Sequence, residues 1–142
     1  MRRKMSKDII IKLSKDMEDF LTERSKEIQL PLEETIHQLI NEQINNKVIF
    51  DEGFYFDRQK NALFDKDGKM IQFTKLQNGL FNLLLQKKGQ ILDFDEIHKE
   101  VWKNKKMSIF TMRNIVKRIR DLTYYGIIVN HSNKGYSLGE TF

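Results

Sequence analysis

Residues 111–122, TMRNIVKRIRDL, restrict the fold of this chain more than any other stretch. Met112, Ile115, Val116, Ile119 and Leu122 recur at i, i+3, i+4, i+7 and i+10, which predicts one apolar stripe of an α-helix over 110–122. Between them stand Arg113, Asn114, Lys117, Arg118 and Arg120, with no acid before Asp121. One side of such a helix must be buried in a core. The other is dense in cations and an amide, and suits a polyanionic groove. Arg can bind guanine edges bidentately, Asn can do the same for adenine, and Lys or Arg can take phosphates.

The charge distribution supports the same reading. Of 25 Lys+Arg and 20 Asp+Glu, the first 50 residues hold nine of each, so the whole formal charge of +5 lies in residues 51–142. Residues 103–120 contain seven basic side chains and no acidic one. A local field of that kind steers phosphate toward it, or less specifically an acidic protein or membrane surface. No apolar run reaches the length of a membrane span. The basic start, MRRKMSKD, lacks the apolar core of a signal peptide. There is no Cys, which removes disulfides, thiolate metal sites and cysteine nucleophiles, and fits a cytoplasmic protein.

Residues 8–13, DIIIKL, are rich in β-branched side chains and read as a short strand. Ser14 is placed to cap a helix over 15–28, with Met17, Phe20, Leu21 and Ile28 on its apolar side. Pro31 fits the start of a second helix, Glu33 and Glu34 suit its positive end, and Ile36, Leu39, Ile40 and Ile44 form its apolar face. A strand–helix–helix unit this small rarely folds alone, and a single strand leaves its backbone groups unpaired. A two-fold homodimer, with two strands paired antiparallel and four helices around one core, solves both problems. The run IIIKLSKDMEDFLTERSKEIQLPLEETIHQLINEQI resembles the ribbon-helix-helix family of Arc/CopG-type repressors. The resemblance implies a dimerisation module over residues 1–47, built on Ile9, Ile11, Leu13, Phe20, Leu21, Ile36, Leu39 and Ile40. In that family outward strand residues enter the major groove; here they would be Asp8, Ile10 and Lys12, poorly matched to DNA. The second helix also lacks the family's glycine turn, having Gln29 there, and Pro31, Glu33 and Glu34 disfavour a phosphate. The module is therefore read as a dimeriser, and Arg2, Arg3 and Lys4 as a solvated basic end, with contact to backbone phosphate as the alternative.

Residues 48–142 change character. Short apolar runs at 48–50, 54–56, 62–64 and 70–73, divided by turn signals, predict a small antiparallel sheet whose Phe residues are core. Thr74 caps a helix to about Lys88, with Leu76, Leu80, Phe81, Leu83, Leu84 and Leu85 as a broad buried face, and Gly89 ends it. Asp93 caps a helix that turns Phe94, Ile97, Val101 and Trp102 inward. The basic connector 103–108 leads to the helix over 110–122. Residues 127–129 and 136–138 form a hairpin across a turn at 130–135. Sheet, three helices and hairpin describe a winged helix-turn-helix, and the chain as a whole is α+β.

This segment resembles the OmpR/PhoB-type effector domain. The family's pattern runs through Asp67-Gly68, Phe73-Thr74, Leu80, Leu84, Gly89, Ile97, Val101-Trp102, Thr111, Lys117-Arg118-Ile119-Arg120 and Gly135-Tyr136-Ser137-Leu138. The resemblance implies a regulator that binds double-stranded DNA, with the third helix in the major groove and the wing at the minor groove. Arg113, Asn114, Lys117 and Arg118 would contact bases or nearby phosphates, and Thr111 a phosphate or a thymine methyl. Arg120 would hold either a phosphate or an internal carboxylate. Lys103, Lys105 and Lys106 would meet the backbone, and Asn133 and Lys134 would carry the wing. The family usually has Glu where this chain has Gln77, and Asn114 and Ile115 exchange the usual apolar and polar character. Either the helix is slightly rotated or its base preferences differ.

Relatives commonly place a phosphoacceptor receiver domain before this effector domain. The 47 residues here are too short for one, so dimerisation through the first module, without control by aspartyl phosphorylation, is expected. His37, His98 and His131 lie in no metal-ligand spacing, and no phosphate loop, nucleophile elbow or catalytic carboxylate pair occurs. Neither catalysis nor a metal or cofactor is expected. Two alternatives stay open: both modules read DNA, or the winged helix is an adaptor that docks RNA polymerase or another regulator.

Overall fold

A computed structural model describes residues 7–103 and 105–142. The chain divides into two compact units, Met1–Asn45 and Asn46–Phe142. Arg2, Arg3 and Lys4, considered above as backbone contacts, lie outside the described residues.

The first unit is built on two helices, α1 (Lys15–Ile28) and α2 (Leu32–Asn46). Ser14 caps α1 by accepting the Met17 N–H at 3.2 Å. The helix ends at Gln29, which adopts the left-handed conformation (φ 56°) that glycine most often supplies at a helix end. Pro31 offers the first carbonyl of α2, accepting from the Thr35 N–H at 2.9 Å and from the Thr35 hydroxyl at 2.9 Å. Leu21 and Thr35 are the buried residues of this unit among those described.

The expected strand at residues 8–13 is not formed. No described segment of the chain pairs with it, and a strand without a partner gains no ladder hydrogen bonds. Ile9, Ile10 and Ile11 are exposed, and so are Phe20 and Ile40, while Leu13, Ile36 and Leu39 are half-buried. Within one copy, only Leu21 of the residues expected at the dimer core is buried.

The second unit opens with a three-stranded antiparallel sheet in the order β1 (Lys47–Ile49), β2 (Tyr55–Asp57) and β3 (Ala62–Phe64). The expected fourth strand at 70–73 is reduced to a single bridge between Met70 and Phe64. Val48, Phe56 and Leu63, in register on one face, are buried. Above them lies α3 (Lys75–Gln86), whose fully buried Phe81 has three phenylalanine rings around it. Its ring centroid is 5.8 Å from Phe50, 6.0 Å from Phe56 and 5.5 Å from Phe73. These are core contacts, not a stacking platform for bases. Thr74 and Gln77 complete a reciprocal cap at the start of α3. The Thr74 hydroxyl accepts the Gln77 N–H at 3.3 Å, and Gln77 Oε1 accepts the Thr74 N–H at 3.0 Å. Gln77 is 6% exposed, so an amide makes the bond a carboxylate would make without burying a charge.

Asp93 caps α4 (Phe94–Ile97) by accepting the Glu96 N–H at 2.8 Å. The helix then widens into a π-helical turn, His98–Trp102, that closes at Lys103 with a positive φ (55°). Next comes α5 (Ile109–Leu122), capped by Ser108, and then a hairpin of β4 (Ile128–His131) and β5 (Gly135–Leu138). Leu92 exchanges both backbone hydrogen bonds with Tyr136, at 2.8 and 2.9 Å, so the short link before α4 is a third partner of the hairpin. One core of sheet, helix and hairpin residues runs through the unit, and α3 packs on both α5 and β5. Among the described residues no helix is long and apolar enough to cross a membrane.

The Tyr124 hydroxyl, half-buried behind Phe54, accepts the Asp51 N–H at 3.1 Å. Burial pushes its pKa above the ordinary tyrosine value; the Asp51 hydrogen bond opposes this, and the Asp51 and Glu52 carboxylates add to it. A raised pKa in the folded state means the stabilisation is complete below the unfolded value, about 10, and is lost as pH rises through the folded one. The unfolding midpoint should therefore fall in alkali, and Tyr124→Phe should reduce that fall relative to the parent protein. Identical alkaline limbs in the two proteins would assign the loss to other groups.

Candidate nucleic-acid interface

α5 begins at Ser108, whose hydroxyl accepts the Thr111 N–H at 3.1 Å. Its apolar stripe is buried as expected at Met112 (0% exposed), Ile115 (7%), Val116 (1%) and Ile119 (0%). Leu122 is not, at 44%. At 100° per residue it lies roughly 80° around the helix from Met112, off the stripe.

Because that side is fixed in the core, Thr111, Arg113, Asn114, Lys117 and Arg118 are all exposed. Arg113 and Arg118 have no ion-pair partner among the described residues. Lys117 pairs with Asp121 at 3.3 Å, with both side chains mostly exposed. Such a pair contributes little and leaves Lys117 free to exchange partners. The Thr111 hydroxyl lies 2.9 Å from that of Ser108, so it belongs to the helix cap as well as to the surface.

Arg120 is half-buried and turns toward β4. Nε donates to the Ile128 carbonyl at 3.2 Å, Nη2 donates to the same oxygen, and the guanidinium lies 4.1 Å from the Tyr125 ring centroid. The internal carboxylate expected as one of its two partners is not found among the described residues. It fixes the end of α5 against the root of β4, and so sets the wing relative to the helix.

The wing turn carries Asn133, at φ 61°, and Lys134, both exposed. Between this turn and α5 lies an open cleft of about 560 Å³. Arg113, Arg120, Asn133 and Lys134 line it, together with Asp93 and Asp95 from the start of α4. The structure thus brings Arg113 and the wing residues together. It does not bring Lys103, Lys105 and Lys106 to the same cleft. Those three line a separate groove of about 990 Å³ against α3, beside Lys75, Asn78 and Asn82. His98 Nε2 lies 2.7 Å from the Lys105 carbonyl and ties the connector to the π-helical turn. Among the described residues no group of His, Asp or Glu side chains is arranged to hold a metal.

One exposed residue of this face was not singled out from the sequence: Phe110, in the first turn of α5, is 74% exposed. Its spacing of three, four and seven residues from Arg113, Asn114 and Lys117 was the available signal.

No protein-family profile and no curated protein matches the chain. Solved structures do. The DNA-binding domain of Bacillus subtilis CssR is 19% identical, covers 60% of this chain and 98% of its own length, and superposes with a TM-score of 0.53. The Klebsiella pneumoniae RstA DNA-binding domain, solved in complex with the RstA box, is 19% identical over 65% of this chain and 96% of its own, with a TM-score of 0.53. The Thermotoga maritima response regulator DrrB, an OmpR/PhoB homolog, is 18% identical over 66% of this chain and 44% of its own, with a TM-score of 0.55. At these identities the likeness is one of fold. The chain is therefore similar in fold to winged helix-turn-helix DNA-binding domains of the OmpR/PhoB type over about two-thirds of its length. In that fold α4 with its π-helical turn and α5 are the helix pair, and β4–β5 is the wing.

Proposed function

We infer that this chain is a sequence-specific, double-stranded DNA-binding transcriptional regulator that acts as a homodimer. The observation that carries the reading is the outer face of α5: five exposed donor-bearing residues, held outward by a stripe locked in the core, beside a wing with its own lysine. In this reading α5 enters the major groove. Arg113, Asn114 and Lys117 meet base edges, and Thr111 and Arg118 meet flanking phosphates. Lys134 and Asn133 lie at the minor groove, and Lys103, Lys105 and Lys106 meet the backbone. Arg120 positions the wing. The fold shared with RstA, whose DNA-binding domain was solved on DNA, supports it.

Binding selected from a pool of random duplexes tests this reading. One preferred sequence should emerge. Its affinity should fall with salt, with a log–log slope of roughly −4 to −6 for five to seven phosphate contacts. No preference and a flat salt response would instead favour an adaptor that docks a protein such as RNA polymerase.

The dimer is proposed through the first unit. Ile9, Ile11, Phe20 and Ile40 present apolar surface, and residues 8–13 pair with no strand among the described residues. A second copy, related by a two-fold axis, would pair the two segments as antiparallel strands and cover the apolar side chains. Sedimentation equilibrium should find a dimer. Combining Ile11→Lys with Phe20→Lys should convert it to monomer and weaken binding to a two-half-site duplex at least about tenfold, because two linked contacts become one. An unchanged dimer would remove the first unit from this role.

A further inference from the structure

The outer face of α5 carries Thr111, Arg113, Asn114, Lys117 and Arg118, all polar, and one apolar side chain, Phe110. Taking 100° per residue, Phe110 points roughly 180° away from the buried stripe centred on Met112 and Ile119. Lys117 lies within about 20° of the same line, two turns on, and Arg113 and Asn114 flank it. The residue that projects furthest from the core in the first turn is thus an aromatic hydrocarbon, 74% exposed, in a run of seven basic residues without an acid.

We propose that Phe110 reads thymine, by packing its ring on the C5-methyl group in the major groove. This rests on the DNA-binding function proposed above. The residues at the N-terminal end of a recognition helix are the ones that approach base edges. A phenyl ring has no use for a phosphate or for a base donor or acceptor. The thymine methyl is the apolar group that the major groove displays. The surrounding cations exclude an ordinary apolar protein surface as the natural partner, since covering Phe110 would also bury Arg113, Asn114 and Lys117, whose charges and amide then need partners. A polyanionic duplex supplies phosphates for the cations and a methyl for the ring in one surface. Phe110 thereby adds an apolar determinant to a face otherwise equipped for hydrogen bonds.

The test replaces each thymine of the selected duplex, one at a time, with deoxyuridine, which removes only the methyl group. The full-length protein should lose about fourfold in affinity at one or two positions, the effect of one methyl group moved from contact to water. Phe110→Ala should bind the parent duplex more weakly and be indifferent to uridine at those positions. Phe110→Leu, which keeps apolar contact, should restore part of the discrimination. Phe110 is exposed, so neither substitution should alter the unfolding midpoint. If no uridine duplex binds more weakly, or if Phe110→Ala is as sensitive as the parent, the assignment is overturned while sequence-specific binding stands. If no duplex is preferred at all, the DNA-binding reading falls and takes this one with it.

Discussion

Gly135→Ala should destabilise the second unit by roughly 2–5 kcal/mol, from left-handed backbone strain and a forced overlap together. Gly135 has φ +138°, and a Cβ there would lie 1.9 Å from the Leu92 carbonyl oxygen and 2.6 Å from its carbon. Both are backbone atoms of the bridge that Leu92 makes with Tyr136, so no side chain can move aside. Either the wing root lifts away from the link before α4, or the residue changes conformation and breaks the hairpin turn. In a unit of this size the loss corresponds to a fall in unfolding midpoint on the order of 10–30 °C. Gly89→Ala is the matched comparison. Gly89 also has a positive φ (+86°), but nothing lies within 4 Å of a Cβ there, so only the conformational term remains, about 1 kcal/mol. Equal losses for the two variants would show that the wing root is not closely packed.

The second large effect is on binding. Arg113→Ala combined with Arg118→Ala should reduce affinity for the selected duplex at least about 30-fold, counting at least about 1 kcal/mol for each contact. The two single variants should differ in kind. Loss of Arg113, if it meets a base, should relax preference at one position. Loss of Arg118, if it meets a phosphate, should weaken all duplexes alike and reduce the salt slope by about one. Neither should unfold the protein, because both side chains are exposed and neither has an ion-pair partner among the described residues. Exposed substitutions of this kind stay within about 0.5 kcal/mol in stability. Full retention of affinity in the double variant would exclude α5 as the reading helix.

What could be read from the residues was local. Ser14, Thr74 and Asp93 were read as helix caps, and each makes the side-chain bond that the cap requires. The period of Met112, Ile115, Val116 and Ile119 told which side of α5 is buried, and hence which residues face outward. What could not be read was non-local, or depended on backbone. The Leu92–Tyr136 bridge joins residues far apart in the chain by main-chain atoms alone. Arg120 is expected to hold a phosphate or an internal carboxylate; the partners it has within the chain, the Ile128 carbonyl and the Tyr125 ring, depend on how β4 returns beside α5, which its type alone does not reveal. Residues 8–13 have strand composition, but strand formation is a property of pairs, and among the described residues of one chain there is no second member. Phe110 reads as core by its apolar character; its angle relative to the buried stripe points it the other way, and it is 74% exposed.

Because the chain has no cysteine, a single one introduced at Asn114 gives a unique attachment point for a DNA-cleaving iron chelate on the outer face of α5. On the selected duplex this probe should cut both strands at a few adjacent nucleotides inside each half-site. The same chelate on Gln59→Cys, in the turn between β2 and β3, should cut little. Cleavage from Gln59 with none from Asn114, while the duplex stays bound, would mean that DNA meets another face of the protein and that α5 does not enter the groove.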